Sequence, residues 1–167
     1  MPARLAALDT RLLVDMRTRG HTPARDRAIA VFSKTGEHAA GWLALGAVAA
    51  GIDGDRRGQW LRAAGVIAAS YVANTATKFV IRRPRPRLEG LPPLTSTVSS
   101  LSFPSAHATT SFTAARLYGA LIPGVPLYPI AVLFALSRLY LGVHYPSDVV
   151  AGALLGTTLA IGVTRCR

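Results

Sequence analysis

Residues 137–148 read SRLYLGVHYPSD, and the placement of this stretch decides the fold. Arg138, His144 and Asp148 stand among Leu, Val and Tyr, where an ionisable group is costly unless something pairs with it. Pro146 has no N–H to continue a helix begun upstream, but it suits the first turn of a new one. The stretch therefore predicts a helix end, a reversal and a helix start, with three polar side chains gathered at the turn.

Apolar runs flank it on both sides. PLYPIAVLFALSRLYLGV (126–143) leads in and PSDVVAGALLGTTLAIGV (146–163) leads out. Upstream lie HAAGWLALGAVAAGI (38–52), WLRAAGVIAASYVANTATKFVI (60–81) and SAHATTSFTAARLYGALI (105–122). Each has 15 to 22 residues, near the length that crosses roughly 30 Å of hydrocarbon as a helix. Gly, Ala, Ser and Thr are frequent in them, which suits close helix packing in lipid. A soluble bundle is the alternative, but it would show long polar helix faces, and these segments lack them. The expectation is an all-α integral membrane bundle of about five transmembrane helices over residues 38–163. An N-terminal amphipathic or interfacial segment, 1–37, precedes it within one domain, 1–167.

In that segment Leu5, Leu8, Leu12 and Met16 form one helical stripe, with Arg4, Arg11 and Arg17 elsewhere on the surface. Such a helix lies on anionic lipid or packs on protein. Charges at Arg4, Asp9, Arg11 and Asp15 interrupt any signal-peptide core, so no cleaved leader is expected. Residues 20–37 read as a polar connection broken at Gly20, Pro23 and Gly36, with AIAVF (28–32) able to extend the next helix backwards. Cys166 is the single cysteine, which predicts neither an internal disulfide nor a thiolate metal cluster.

Hydrophobic residues make up 50% of the chain and charged ones 16%, yet the formal net charge is +11. That balance admits nucleic acid, an anionic membrane surface or a phosphorylated substrate. The cations lie between apolar segments and no nucleic-acid reader motif is present, so no nucleic-acid partner is expected. Membrane lipids and a phosphorylated substrate remain as the expected partners; oligomeric state is not specified by the sequence.

If each apolar segment crosses once, the second ends at Lys78, the third starts at Ser105, the fourth ends near His144 and the fifth starts at Pro146, all on one face. KFVIRRPRP (78–86), FPSAHA (103–108) and SRLYLGVHYPSD then meet. Lys78, Arg85 and Arg138 are suited to hold phosphate oxygens, and His144 and His107 to divide attack and proton transfer. Ser105 is placed to cap the third helix, where the N–H groups of Ala106 and His107 favour an anion. A reversal at Pro146 would bring Asp148 to one imidazole nitrogen of His144, freeing the other to attack. No metal or cofactor is called for.

The three clusters resemble the tripartite signature of the type 2 phosphatidic acid phosphatase (PAP2) superfamily, shared with vanadium haloperoxidases: K-x6-R-P, P-S-G-H and S-R-x5-H-x3-D. Here they are Lys78, Arg85 and Pro86; Pro104, Ser105 and His107; and Ser137, Arg138, His144 and Asp148. The resemblance implies a metal-independent phosphatase with His144 as the nucleophile that forms a phosphohistidine, Asp148 orienting it and His107 as general acid. It implies phosphate binding by Lys78, Arg85, Ser105, Arg138 and the backbone N–H of Ala106. Ala106 replaces the family glycine and keeps that role only at negative φ.

GEHAAGWLALGA and LSFPSAHATT further look like actinobacterial members assigned to arabinan precursor synthesis. That likeness implies removal of the 5-phosphate from decaprenylphosphoryl-5-phosphoribose. Undecaprenyl diphosphate, phosphatidic acid and phosphatidylglycerol phosphate are the alternative substrates, and an inactive lipid-binding membrane protein or a soluble haloperoxidase-like enzyme the alternatives of another class. Seven Lys and Arg lie at or before Lys34 and five between Lys78 and Arg87. By the positive-inside rule the site then faces the cytoplasm from the plasma membrane. Outside the signature, Arg116 is expected to serve structure inside the bundle, and Asn74 and Thr77 to line the pocket or bridge helices. Arg82, Arg83 and Arg87 are expected to meet a second anionic group or lipid headgroups, and Tyr140 and Tyr145 to anchor the interface.

Overall fold

A computed structural model describes residues 3–165, so Cys166 lies outside the described residues. Seven α-helices follow one another: α1 Ala3–Thr18, α2 Pro23–Thr35, α3 Ala40–Ile52, α4 Arg57–Ile81, α5 Ala106–Gly119, α6 Leu127–Tyr140 and α7 Pro146–Arg165. Short 3-10 turns, Glu37–Ala39 and Gly54–Arg56, join α2 to α3 and α3 to α4. Among the described residues there is no strand, only an isolated bridge between Pro84 and Leu101.

The centre is α5, which buries ten of its fourteen residues. It packs on α7, α6 and α4. Glycine makes the α5–α7 contact possible: a Cβ on Gly152 would fall 2.5 Å from the Ser105 carbonyl oxygen, and one on Gly156 2.1 Å from that of Thr109. With buried Ala160 these form a small-residue stripe at every fourth position, which lets two backbones approach closely. Thr113 Oγ1 uses that proximity to donate to the Gly156 carbonyl at 3.1 Å. Trp42, Trp60, Ile67, Tyr118 and Phe134 fill the apolar half of the core.

Residues 20–37 depart from the sequence reading. Thr22 caps the Arg25 N–H, Pro23 starts α2, and a helix running along α6 stands where a polar connection was expected. Tyr140 donates to Asp26 at 2.5 Å, Ser137 to Ser33 at 3.1 Å, and Phe32 stacks on Phe134 with ring centres 4.3 Å apart. The chain then breaks: His38 and Ala39 have φ of +53° and +62°. Beyond the break α3 continues the descent, with the Trp42 indole N–H donating to Ser111 at 2.8 Å and Gly46 against Tyr118. Thus α2 and α3 form one interrupted element from the signature end of the bundle to the far end.

α1 also departs in part from expectation. Leu5, Leu8 and Leu12 point outward, while Asp9, Leu13 and Arg17 are buried against the rest of the chain. Arg17 therefore does not lie on the surface: it donates to the carbonyls of Tyr140 and Pro92 at 3.2 and 2.8 Å, closing the end of α6 onto the long loop. Arg116, expected inside the bundle, is exposed on α5.

Large apolar side chains cover the outside, among them Ile52 at 80% exposure, Val80 at 78% and Phe79 at 68%. Exposed large apolar side chains on several helices suit the surface of a membrane protein. By length and composition two helices are able to cross a bilayer, Gly54–Ile81 and Pro146–Arg165. α3, α5 and α6, with 13, 14 and 14 residues, are about 20 Å long.

Candidate active site

α4 ends where α5 begins, and α6 ends where α7 begins; the four helix ends and the loop between α4 and α5 enclose one cavity. Its volume is about 290 Å³, and Lys78, Arg85, Ala106, His107, Arg138 and His144 line it. Lys78, in the last turn of α4, directs its ammonium at the carbonyls of Leu101, Ser102 and Pro104, at 3.3, 3.1 and 2.8 Å. It thereby holds the loop over the cavity while contributing a positive charge to the wall. Arg85 is fixed by the carbonyls of Ser99 and Val143, both at 2.7 Å. Burial draws its pKa down to about 10, with Asp148 opposing. Arg138, in the last turn of α6, donates to Ser33 Oγ at 2.7 Å, and its Nε is buried without a partner.

His144 sits on the turn between α6 and α7, almost fully buried. Its Nε2 lies 3.2 Å from Arg85 Nη1. A guanidinium only donates, so Nε2 accepts and the ring hydrogen belongs on Nδ1. Nδ1 is 3.5 Å from Asp148 Oδ2 but is not aligned for a hydrogen bond. Burial, then Arg85, Lys78 and Arg138, push the His144 pKa well below its ordinary value, so the imidazole is neutral. On the opposite wall His107 Nε2 lies 2.9 Å from the Ser33 carbonyl, which only accepts, so this ring carries its hydrogen on Nε2 and leaves Nδ1.

Ser105 occupies the N-cap position of α5, yet its hydroxyl makes no capping bond, contrary to expectation. Its N–H and carbonyl are used, by Asp148 O and by Thr109, and its Oγ is buried and unpartnered. Ala106, in the first turn of α5, is not among the residues at positive φ, so its backbone N–H keeps the orientation open to a glycine there. Asp148 stands behind His144, outside the cavity lining.

Three residues of this site were not legible as such. Arg83, read as a headgroup ligand, instead turns inward: it donates to Asp148 Oδ1 and Ser147 Oγ, both at 2.7 Å, and to Asp9 Oδ2 at 2.9 Å. Its guanidinium also lies 4.1 Å over the Tyr145 ring, so Tyr145 packs within the site rather than at an interface. Asp9 accepts from the Ser147 N–H at 2.9 Å and from the Ser147 hydroxyl, clamping α1 to the start of α7. Ser33, from α2, touches His107, Ser137 and Arg138 together. Tyr140, half-buried, stacks on His21 and donates to Asp26. Asn74 bridges α4 to Pro104 O and Thr109, at 3.2 and 2.9 Å, whereas Thr77 bonds only its own helix.

A family model described as PAP2 superfamily matches residues 59–167, which contain all three clusters. The chain belongs to the PAP2 superfamily. Among curated PAP2 relatives, a decaprenylphosphoryl-5-phosphoribose phosphatase of Mycobacterium tuberculosis is 45% identical over 76% of this chain and 72% of its own. Among solved structures, the transmembrane PAP2 type phosphatidylglycerolphosphate phosphatase of Bacillus subtilis superposes with a TM-score of 0.79 and 25% identity. That superposition covers 99% of this chain and 87% of the other. The LpxE of Aquifex aeolicus gives 0.76 and 26%, over 95% of both chains.

Proposed function

We propose that this PAP2 protein is a membrane phosphatase that removes the 5-phosphate from decaprenylphosphoryl-5-phosphoribose. The observation that carries the reaction class is one cavity in which a neutral His144 faces Lys78, Arg85 and Arg138. The substrate rests on 45% identity to a relative named for it.

The phosphate enters between Arg85, Arg138 and the Ala106 N–H, with Lys78 adding charge and the Ser105 hydroxyl turning towards an oxygen. His144 Nε2 shifts from Arg85 to phosphorus, and its lone pair forms the N–P bond as the bond to the ribose 5-oxygen breaks. His107 takes up a proton on Nδ1 as the phosphate dianion enters and gives that proton to the departing oxygen. Asp148 stabilises the positive charge developing on His144 through Nδ1–H. Water then attacks phosphorus and yields its proton to His107; the N–P bond breaks, and inorganic phosphate leaves with both imidazoles restored. No metal enters these steps.

The chain acts as a single phosphatase domain: α1 lies at the lipid interface, its leucines outward, and α2 to α7 carry the bundle. Five crossings fit best when α2 and α3 count as one interrupted crossing and α4 to α7 as one each. Residues 23–35 then belong to the first crossing, and the amino-terminal end stays on the catalytic side. With that side rich in Arg and Lys, the site faces the cytoplasm from the plasma membrane.

Phosphate release by the purified protein in detergent, from decaprenylphosphoryl-5-phosphoribose, undecaprenyl diphosphate, phosphatidic acid and phosphatidylglycerol phosphate, tests the substrate. The phosphoribosyl lipid is expected to give the highest kcat/KM. A higher value for any other member would replace it, and no release from any of them would make the protein a binder.

A further inference from the structure

The same cavity has a second wall that the phosphate chemistry leaves unused. Tyr71 and Thr75 stand on α4 about two turns and one turn deeper than Lys78, on the same face, and Glu37 and His38 stand opposite on the break between α2 and α3. His38 Nδ1 and the Tyr71 hydroxyl are 2.7 Å apart, their rings edge to face, so this part of the wall is built. His38 adopts its left-handed φ there, a conformation costly for a non-glycine residue and concentrated where ligands are held. The Thr75 hydroxyl is spent on its own helix. Glu37 is not: among the described residues its carboxylate has neither an ion pair nor a hydrogen bond, although it lies close enough to Arg138 to act on its charge.

A carboxylate in a cavity otherwise made for a phosphate dianion is unfavourable unless the ligand also brings donors. An ionised carboxylate accepts only, with two oxygens side by side. A pair of neighbouring hydroxyls on the group that carries the phosphate supplies two such donors. We infer that Glu37, supported by the His38–Tyr71 pair, is a specificity-determining residue that binds the hydroxyls of a phosphorylated sugar, so that the site takes sugar phosphates in preference to phosphate on a plain alcohol. This deepens the proposed function and rests on His144, His107 and the cationic wall being the phosphate site.

Inhibition by water-soluble probes tests it separately from the lipid substrate. With phosphatidic acid as reporter, ribose 5-phosphate is expected to inhibit wild type at least about tenfold more strongly than inorganic phosphate, the worth of about one or two hydrogen bonds to a charged group. In Glu37→Gln that preference is expected to fall to about unity, and Tyr71→Phe to lose part of it. Direct titration of the two probes by displacement of vanadate gives the same ratio should phosphatidic acid not be turned over. Equal inhibition by the two probes in wild type would overturn the inference, as would a preference intact in Glu37→Gln. If Glu37→Gln weakens both probes equally, Glu37 is a counter-ion for Arg138 and the inference fails. Each result stands whichever lipid the substrate panel selects.

Discussion

Replacing Arg83 by Met removes the one cation between two buried carboxylates. Asp148 and Asp9 have side-chain exposures of 0% and 4%, and Arg83 sits 2.7 and 2.9 Å from them. Without it Asp148 keeps the Tyr145 N–H at 2.9 Å, and Asp9 keeps Ser147. Leaving a buried charge unpaired costs about 3–5 kcal/mol, which for a chain of this size lowers Tm by roughly 6–20 °C. The carboxylate that steadies His144 would also take up a proton or rotate away, lowering kcat by about 100-fold or more, with a smaller change in KM. Asp9→Asn separates the two effects, because it spares the Arg83–Asp148 pair. It should lose about 1–3 kcal/mol of stability and keep kcat within about tenfold of wild type. Thermal unfolding in detergent and steady-state phosphate release read both quantities. An Arg83→Met protein with wild-type kcat would refute the reasoning, as would equal losses of kcat in the two variants.

Other outcomes follow from the same contacts. Gly156→Ala places a Cβ 2.1 Å from the Thr109 carbonyl, so α5 and α7 must separate; stability should fall by about 1–3 kcal/mol, whereas Gly162→Ala, with open space around it, should cost little. Ser33→Ala removes the acceptor of Arg138 Nη1 but keeps the carbonyl that orients His107, so it should raise KM by about tenfold and leave the pH profile in place. For pH, a proton on His144 abolishes attack, and its pKa lies below 6.5 in the folded protein. The acid limb of kcat/KM due to this group should therefore fall below pH 6.5, and an acid limb above that value that vanishes on removing neighbouring cations would contradict the assignment.

The signature residues were legible because they lie at helix ends or in the Pro-containing connections between them, and because helices that alternate direction must bring their ends together. SRLYLGVHYPSD is laid out as its spacing predicts: Arg138 closes α6, His144 occupies the turn and Asp148 begins α7. What stayed hidden depends on contacts far apart in sequence. Ser33 lies in a segment whose polar composition hides a helix, and its partners are 74 to 105 residues away. Asp9 sits on the polar side of an amphipathic helix, where a solvated charge is the ordinary expectation, until Arg83 meets it across 74 residues. Arg83 stands one residue before a Pro in a run of cations, and nothing local distinguishes it from Arg82, which is exposed. Arg116 misled in the other direction: mid-helix in an apolar stretch, it turned out to lie on the outer face.

The central claim is that His144 forms a covalent bond to phosphorus. Rapid quench of wild type with substrate carrying radiolabelled 5-phosphate, followed by peptide mapping, tests it most directly. The expected result is a transient, acid-labile and alkali-stable phosphoenzyme on the peptide containing His144, formed no slower than turnover, absent in His144→Asn and accumulating in His107→Ala if water attack is slowed. Label on another residue would contradict the claim, as would turnover with no phosphoenzyme and direct transfer of the phosphate to water.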